Sequence, residues 1–239
     1  MKATHAFTLG SFNICSAHFQ EKHYTRRNLD LIADKIRASG ADVVALQEVD
    51  RGAERSSGVD MPHILSELSG LSHHYFIKIR DFQGGEYGTA ILSRFPIREA
   101  STINYPVKLA RQGTSCGYVV LDVDGWSVTL FNTHLSIESE EANTDTLVCL
   151  RDILRDRLDS HPAGFACCGD FNTTAEKIEA HIPFVTPAQH GLITYSDKTS
   201  IDNILCAGEV IADSIRLFDT QYDNSSDHHM LLARISRAD

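Results

Sequence analysis

The chain has 239 residues, of which 42% are hydrophobic and 23% are charged, and its formal net charge at pH 7 is -10. This composition is ordinary for a globular protein with an ample core, and it argues against intrinsic disorder. The acidity argues against strong nonspecific binding to nucleic acid, which depends on Lys and Arg neutralising phosphate, although it does not exclude a nuclease.

The sequence also bears on the cellular compartment. No run of about 18 apolar residues is present to span a membrane, and Met1 to His5 lead into a strand-like segment rather than into the apolar core of a secretory signal. We therefore expect a cytoplasmic protein with no membrane insertion. The six cysteines have no C-x-x-C or paired spacing and are expected to be free thiols, with adjacent Cys167 and Cys168 on opposite faces of a strand.

The N-terminal segment predicts a strand, a helix and a second strand. Residues Phe7 to Cys15 alternate well enough for the first strand. Apolar residues then recur at helical spacing from Leu29 to Ile36, and Gly40 supplies the left-handed residue that often ends a helix. The apolar run from Asp42 to Leu46 is typical of a strand that is buried on both faces.

The middle of the chain begins with a predicted loop and continues mainly as strands. Residues Arg51 to Asp60 have no periodicity and are rich in turn formers, and a short helix is predicted after Pro62. Asp124-Gly125 is a strong signal for a two-residue hairpin. The segments that alternate or run apolar as strands do are His74 to Arg80, Thr89 to Ser93, Ile97 to Tyr105, Cys116 to Val123 and Trp126 to His134.

The C-terminal part predicts two further helices among strands. Leucines from Leu147 to Leu158 form one apolar stripe of a helix. A strand from Phe165 to Cys168, a short helix from Thr174, a loop-rich passage and three final strands follow. Many antiparallel strands with few helices predict two packed sheets flanked by helices. Because the motifs described next run from residue 13 to residue 228, we expect one domain over residues 1–239.

Six short motifs place an acid, an amide or an imidazole at or near the end of an apolar, strand-like run. They are Ser11-Phe12-Asn13, Leu46-Gln47-Glu48-Val49, Asn132-Thr133-His134-Leu135, Gly169-Asp170-Phe171-Asn172, Ile201-Asp202-Asn203 and Ser226-Asp227-His228. This pattern gathers oxygen ligands and titratable groups along one rim of a sheet. Carboxylates with amides suit a hard divalent cation, and histidines suit stabilisation of charge on a phosphate. The sequence therefore predicts a magnesium-dependent phosphoesterase.

Glu48 and Asn13 are candidate metal ligands at the ends of two neighbouring predicted strands. Glu48 follows a very apolar strand, where a carboxylate would be costly to bury without a cation. Asn13 could place its amide oxygen near the same ion. Taken singly, Glu48 is more often a solvated acid at the end of a strand, and a lone asparagine such as Asn13 is usually a simple turn former.

Two acidic motifs later in the chain supply candidate catalytic groups. Asp170 and Asn172 stand two residues apart, so an extended segment would point both to the same side. The acid can orient or deprotonate water, and the amide can donate to a phosphate oxygen, although the motif could also be a plain turn. Asp227 and His228 offer a metal carboxylate and an imidazole together. Asp202 is the natural partner to fix that imidazole's tautomer and favour its protonated form.

The remaining candidates are an imidazole and three charged side chains. His134 ends a predicted strand and could face the phosphate from the side opposite the other imidazole. Glu86 is the candidate carboxylate for orienting His134. Arg51 and Arg55, in a predicted loop, could bind an anionic part of the substrate, although such arginines are as often merely solvated. No H-E-x-x-H, Walker or G-x-S-x-G motif is present to support a zinc protease, a P-loop hydrolase or a serine hydrolase.

Together these motifs resemble the endonuclease/exonuclease/phosphatase superfamily of deoxyribonuclease I, abasic-site endonucleases, bacterial sphingomyelinases and inositol-polyphosphate 5-phosphatases. The resemblance covers nearly the whole chain and includes the segment Tyr87 to Arg94. It implies a four-layer α/β/β/α sandwich of two mixed, mainly antiparallel sheets flanked by helices. It also implies a Mg²⁺ or Mn²⁺ ion at Glu48, supported by Asn13 and Asp227. Asn203 departs from the pattern, because relatives often carry an aromatic residue there, and this affects a neighbour of the site.

The same resemblance implies roles for the catalytic groups. It implies water activation near Asp170, phosphate contact from Asn172, and transition-state contact from His134 and His228. Asp202 would stand behind His228. The expected reaction is direct in-line attack of water on phosphorus, without a covalent enzyme intermediate.

The sequence indicates the type of reaction more clearly than it indicates the substrate. We expect a small-molecule or lipid-headgroup phosphoester, because the chain is acidic and has no basic stripe interleaved with aromatic residues. A DNA-repair-type endonuclease or exonuclease is the alternative, and it would need a basic patch beside the metal. A non-catalytic binding module on the same fold is a third interpretation, against which the full set of catalytic groups argues. The sequence leaves monoester or diester specificity and the oligomeric state open.

Overall fold

The computed structural model of the protein describes residues 5–18, 25–106, 114–220 and 225–238. These residues form two six-stranded sheets and four α-helices. The helices are α1 (Arg26–Ser39), α2 (Met61–Ser69), α3 (Glu140–Ser160) and α4 (Ala175–His181). Within the described part of the chain, no helix has the length and apolar character needed to cross a membrane.

Twelve strands make up the two sheets. They are β1 (Ala6–Asn13), β2 (Val43–Arg51), β3 (His73–Phe82), β4 (Gly85–Ser93), β5 (Ile97–Asn104), β6 (Ser115–Val123), β7 (Trp126–His134), β8 (Gly164–Asp170), β9 (Thr186–Pro187), β10 (Asp202–Gly208), β11 (Val210–Phe218) and β12 (Met230–Arg237). The first sheet has the order β11-β12-β1-β2-β4-β3, and the second has the order β5-β6-β7-β8-β10-β9.

Each sheet contains one parallel pair of strands near its centre. These pairs are β1 with β2 and β7 with β8, and the other neighbouring strands run antiparallel. The carboxyl ends of parallel strands meet at one edge of a sheet, where ligands commonly bind in α/β folds. Asn13 ends β1, and His134 and Asp170 are register partners at the ends of β7 and β8. The topology therefore collects the predicted chemical groups at strand ends.

Three apolar clusters separate the layers. Residues 43–46 of β2 alternate between the cluster between the sheets and the cluster beneath α1 and α2. Residues 165–168 of β8 alternate in the same way between the inter-sheet cluster and the cluster beneath α3 and α4. The fold is thus a four-layer α/β/β/α sandwich, which confirms the predicted fold class. Cys167 and Cys168 occupy different clusters, and all six cysteines are free thiols.

Most predicted elements are present, with differences at their ends. The helix α1 ends at Gly40, whose φ of 71° is the left-handed conformation that the sequence predicted. Asp124-Gly125 forms the predicted hairpin turn, with φ angles of 51° and 90°. The strand β2 is longer than its apolar run and continues to Arg51. The segment predicted as a loop after it contains a 3-10 turn at Glu54–Ser56.

Candidate active site

A β-bulge near the end of β2 sets the direction of the Glu48 side chain. The pairing of β2 with β4 shifts register between Leu46 and Val49, so β2 holds an extra residue there. Glu48 has a φ of 56°, a left-handed conformation that is uncommon for a residue with a Cβ atom. Such strain is typical of functional sites, where surrounding structure enforces it. Because of the bulge, the side chain of Glu48 does not follow the regular alternation of side chains between the two faces of the sheet.

A buried amide joins the second sheet to this bulge. The Nδ2 atom of Asn132, on β7, donates to the backbone oxygens of Leu46 at 3.0 Å and Ala90 at 2.9 Å. Its Oδ1 atom accepts a hydrogen bond from Nε2 of Gln47 at 2.8 Å. Both amide side chains are fully buried. Asn132 therefore pairs carbonyl groups at the bulge and holds the two sheets together beside Glu48.

We expect Asn132→Ala to destabilise the protein and reduce its activity. The substitution leaves buried carbonyl and amide groups without partners, and each such group costs about 1–3 kcal/mol. The free energy of unfolding, measured by urea titration, should fall by at least about 2 kcal/mol. Asn104→Ala is the matched control, because Asn104 is exposed at the end of β5. An unfolding midpoint for Asn132→Ala equal to that of the control would contradict the assigned role.

An open pocket of about 550 Å³ lies at the edge where the strand ends meet. Of the predicted site residues, seven line it, and two others, Asn13 and Asp202, are buried beside it with 1% exposure each. The remaining lining residues are not predicted site residues, although Ile201 and Tyr87 lie within segments that the family resemblance includes. The full lining set is Cys15, His18, Glu48, Arg55, Arg80, Tyr87, His134, Ile137, Asp170, Asn172, Tyr195, Ile201, Asp227 and His228.

Asn13 links two of the acidic side chains. Its Nδ2 atom donates to Oε1 of Glu48 and to Oδ2 of Asp170, each at 3.1 Å. Its Oδ1 atom accepts a hydrogen bond from the backbone N–H of Cys15 at 3.0 Å, which fixes the orientation of the amide. The expectation that this oxygen also binds a metal ion stays a prediction. In the structure Asn13 holds two carboxylates in place, and its oxygen is bound to the backbone.

Asp170 lies at the centre of the site and is almost fully buried. Its Oδ2 atom lies 3.5 Å from Nε2 of His134 and 3.7 Å from Nε2 of His228. Its Oδ1 atom accepts the backbone N–H of Asn172 at 3.0 Å. Asn172 has a φ of 49°, and its Nδ2 atom donates to the backbone oxygen of Leu135 at 3.0 Å. The carboxylate is therefore fixed between two imidazoles.

His228 and Asp202 form a buried imidazole–carboxylate pair. Nδ1 of His228 lies 2.9 Å from Oδ2 of Asp202, and the ring of Tyr195 packs against the imidazole at 4.7 Å between centroids. Burial lowers the pKa of His228, but the charge and hydrogen bond of Asp202, with Asp170 and Asp227, outweigh it and raise the pKa to about 10. His228 is therefore an imidazolium at neutral pH in this arrangement. Burial raises the pKa of Asp202, and the charge of His228 opposes that rise.

Asp227 is close to both an imidazole and a thiol. Its Oδ1 atom lies 3.9 Å from Nε2 of His228 and accepts a hydrogen bond from Sγ of Cys15 at 2.5 Å. Burial, followed by the charges of Glu48 and Asp227, raises the pKa of Cys15 well above its usual range. Cys15 is thus a neutral thiol donor in this site. Sequence reasoning treated it only as one of several free thiols.

The donor set fits a hard divalent cation. Glu48, Asp170 and Asp227 line one pocket, and placing three carboxylates together is costly without a compensating cation. Oxygen-rich sets of this kind suit Mg²⁺ or Mn²⁺. A second group is also compact, because Asp170, Asp202 and His228 each offer a ligand atom within 4.8 Å of the others. In that group, however, the imidazole carries a proton and is hydrogen-bonded to Asp202, which disfavours metal coordination.

Glu86 and Arg51 are not among the residues that line the pocket. These residues are register partners on β4 and β2, and their side chains form an ion pair, while Lys78 binds Glu86 at 3.0 Å. The guanidinium of Arg51 also packs over the ring of Phe76. Among the described residues, the carboxylate that His134 contacts is that of Asp170 and not that of Glu86. Glu86 therefore positions Arg51, whose side chain is not among the residues that line the pocket.

Known structures with the same fold span nearly the whole chain. A protein of the endonuclease/exonuclease/phosphatase class from Beutenbergia cavernae has a TM-score of 0.79 and 19% identity, covering 98% of this chain and 72% of that chain. The human Nocturnin catalytic domain with bound sulfate has a TM-score of 0.76 and 17% identity, covering 100% and 97%. The Bacteroides thetaiotaomicron mannosyl-6-phosphatase Bt3783 has a TM-score of 0.71 and 13% identity, covering 96% and 99%. At these identities the likeness establishes the fold alone.

The family assignment comes from a family model. No curated protein sequence matches the chain significantly. The model of the Endonuclease/Exonuclease/phosphatase family matches residues 10–228, a range that contains all six strand-end motifs and the pocket they form. The chain therefore belongs to the endonuclease/exonuclease/phosphatase family, whose members are hydrolases with a phosphoesterase fold.

Proposed function

We propose that the protein is a divalent-metal-dependent phosphoesterase that hydrolyses a phosphodiester or phosphomonoester by in-line attack of water. The observation that carries this proposal is the convergence of Glu48, Asp170 and Asp227 with two histidines in one pocket. Carboxylates supply metal ligands and a base, and imidazoles supply charge stabilisation at the phosphate. These are the groups that direct hydrolysis of a phosphoester requires.

Glu48 and Asp227 are the side chains we propose to hold Mg²⁺ or Mn²⁺. Asn13 keeps the Glu48 carboxylate in place through its Nδ2 hydrogen bond. The bound ion would neutralise phosphate charge and stabilise the leaving oxygen. Cys15, which hydrogen-bonds Asp227, is a neutral donor that adds no negative charge to the pocket.

Asp170 is the group we propose to orient and deprotonate the attacking water. Hydrogen bonds from Asn13 and from the backbone of Asn172 hold its two oxygens, so the carboxylate has little freedom to rotate. A base held in one orientation lowers the entropic cost of reaching the transition state. The second N–H of the Asn172 side-chain amide is the donor we assign to a phosphate oxygen, because one N–H already binds Leu135.

His228 and His134 are the groups we propose to stabilise charge in the transition state. His228 is held as an imidazolium by Asp202, and its Nε2 atom points toward Asp170. A cation that is fixed before the reaction needs no reorganisation as charge develops on the phosphate oxygens. His134 approaches Asp170 from the end of β7, so imidazoles from two different elements lie beside the same carboxylate.

We expect Asp202→Asn to lower the pKa of His228, because the substitution removes the largest interaction that raises it. In the wild type the imidazolium persists through neutral pH and loses its proton only as the pH approaches about 10. In the variant this deprotonation should occur at lower pH. An NMR titration of His228 in the metal-free proteins measures the shift directly. An unchanged titration midpoint would contradict the role assigned to Asp202.

The substrate we propose is a small-molecule or lipid-headgroup phosphoester. The pocket is compact, at about 550 Å³, and the chain carries a net charge of -10. A nucleic-acid duplex is bound through an extended basic surface. Two arginines, Arg55 and Arg80, line the pocket, which suits a small anionic ligand better than a long phosphate backbone. A DNA-repair-type endonuclease is the alternative function, and a panel of substrates distinguishes the two.

A substrate panel tests the proposal. Purified protein is assayed with 4-nitrophenyl phosphate, bis(4-nitrophenyl) phosphate, phospholipids and an abasic-site DNA duplex, each with Mg²⁺, Mn²⁺ or a chelator. We expect metal-dependent hydrolysis of the small or lipid phosphoesters that the chelator abolishes. Preferred cleavage of the abasic duplex would support the endonuclease alternative. Hydrolysis of no phosphoester under any metal condition would contradict the proposed function.

A further inference from the structure

Arg55 is held in a fixed position on one side of the pocket. Its Nε and Nη2 atoms donate to the two oxygens of Asp50 at 2.7 and 2.8 Å, and Nη2 also donates to Oγ of Ser16 at 2.7 Å. Among the described residues, the hydrogen bonds of this guanidinium use Nε and Nη2 and not Nη1. The side chain is 30% exposed and lines the pocket. Arg55 thus presents a preorganised cationic donor to a ligand.

The carboxylate that orients Arg55 is fully buried. Asp50 has no exposed side-chain surface, and the hydroxyl of Ser56 donates to it as well. A buried ion pair contributes little net stability, because desolvation offsets the attraction between the charges. Positioning a guanidinium for recognition of an anion is the use for which such bidentate pairs are well suited. We therefore assign the Asp50–Arg55 pair a role in positioning the guanidinium for an anionic ligand rather than in stabilising the fold.

A second arginine lies on the same aromatic side chains. The guanidinium of Arg55 packs over the rings of Phe82 and Tyr87 at 4.5 and 5.6 Å, and that of Arg80 packs over both rings at 5.1 Å. Arg80 and Tyr87 also line the pocket. Guanidinium groups that are held on one aromatic pair at the side of a pocket are suited to bind an anionic group of a ligand. We call Arg55, Arg80, Phe82 and Tyr87 the arginine wall.

The arginine wall and the imidazole pair come from different elements of the fold. Arg80 and Tyr87 lie on β3 and β4 at one side of the first sheet, and Arg55 follows β2. His134 ends β7 of the second sheet, and His228 precedes β12, which lies on the other side of β1 and β2 from β3 and β4. A phosphate held between the histidines and the metal ligands therefore leaves the wall available to another part of the substrate.

We propose that the arginine wall is a second anion-binding subsite, so that the preferred substrate carries a further phosphate or carboxylate besides the scissile phosphoester. This inference rests on the proposed function and narrows its substrate class. The second group must be close to the scissile phosphate, because both lie within a pocket of about 550 Å³. Bisphosphorylated sugars and phosphorylated nucleotide esters have this chemistry.

Matched substrate pairs test the proposal. The first pair is fructose 6-phosphate and fructose 1,6-bisphosphate, and the second is the 4-nitrophenyl ester of thymidine 5′-phosphate and its 3′-phosphorylated analogue. Each pair shares one scissile ester and adds one anionic group, and the products are analysed so that only cleavage of the shared ester is counted. With at least one pair, the wild type should have a kcat/KM about tenfold or more higher for the doubly phosphorylated member.

Variants of the wall identify the residues responsible. Arg80→Gln and the double variant Asp50→Asn with Arg55→Gln should each lower kcat/KM for the preferred member by about tenfold or more, the effect expected for a lost charge-assisted hydrogen bond. For the substrate with one phosphate, kcat/KM should fall by no more than about threefold. The double variant avoids leaving Asp50 buried without its partner. Arg98→Gln is the control, because Arg98 forms a surface ion pair with Asp122 on β6.

The outcomes separate this inference from the proposed function. If the wild type hydrolyses neither these pairs nor the phosphoester panel, the proposed function fails. If the panel is hydrolysed but no pair shows a preference, the second subsite is contradicted. Equal losses for both members of a pair would also overturn it, because the wall would then bind the scissile phosphate itself. The proposal is supported if kcat/KM falls selectively for the doubly phosphorylated substrate and circular dichroism shows that the variants are folded.

Discussion

Asp170→Asn should reduce kcat by about 10²- to 10⁴-fold on any phosphoester that the wild type hydrolyses, the usual size of a general-base contribution. The substituted amide cannot accept the proton from water. It nearly preserves the volume of the carboxylate, so the surrounding β-sheet should keep its packing. Initial rates at saturating Mg²⁺ or Mn²⁺ measure the loss, and thermal unfolding by circular dichroism reports on the fold.

The matched control is Asp152→Asn. Asp152 lies on α3, where its side chain is 62% exposed and pairs with Arg151. This substitution makes the same chemical change away from the pocket, and its kcat should remain within about twofold of the wild type, as for most surface substitutions. A wild-type rate for folded Asp170→Asn would remove Asp170 from the mechanism, whatever the result for the control.

His228→Ala should have the second largest effect, a loss in kcat of about 10²- to 10³-fold, which is the size expected for removal of one preorganised electrostatic group. The variant also leaves Asp202 buried without its imidazole partner, and that costs stability. The double variant Asp202→Asn with His228→Ala removes the orphaned charge. It should recover part of the lost stability without recovering activity.

His190→Ala provides the comparison for His228→Ala. The His190 side chain is 51% exposed and lies near Glu176 and Glu179, outside the pocket. Its removal should leave both kcat and the unfolding temperature nearly unchanged. If His228→Ala and the double variant were both as active as His190→Ala, the proposed transition-state role of His228 would be wrong.

Periodicity predicted much of the fold because burial on regular elements leaves a local signature. The leucine stripe from Leu147 to Leu158 lies within α3, and β7 begins at Trp126 and ends at His134, as its alternation indicated. The apolar run that begins at Asp42 predicted a strand buried on both faces, and β2 contributes to two apolar clusters. Helix and strand periodicity depends on residues that are close together in the sequence, so it can be recognised from the sequence alone.

The bulge and the inter-sheet amide could not be predicted in the same way. Glu48 acquires a left-handed φ because β2 carries an extra residue opposite β4, and a single strand does not reveal its register with another. Asn132 reaches the carbonyl of Leu46 across 86 positions of sequence. Glu86 was assigned to His134, but the cross-strand register pairs it with Arg51. These features depend on which strands become neighbours.

The candidate site residues came together for a topological reason. Parallel strands β1 and β2, and β7 and β8, end at one edge, so acids placed at strand ends are neighbours in space. Sequence motifs could identify those acids. They could not identify Arg80, because its side chain reaches the pocket from β3 without any motif, and the segment that begins at Tyr87 does not reveal that this ring faces the pocket from β4.

We propose that Glu48 and Asp227 bind a divalent cation in the pocket. Mn²⁺ binding, measured by electron paramagnetic resonance on the wild type, Glu48→Gln and Asp227→Asn, tests it most directly. Glu209→Gln is the control, since Glu209 pairs with Arg237 on the surface. We expect one Mn²⁺ site in the wild type and the control, with affinity weakened at least about tenfold in each site variant. Equal Mn²⁺ affinity in all four proteins would contradict the account.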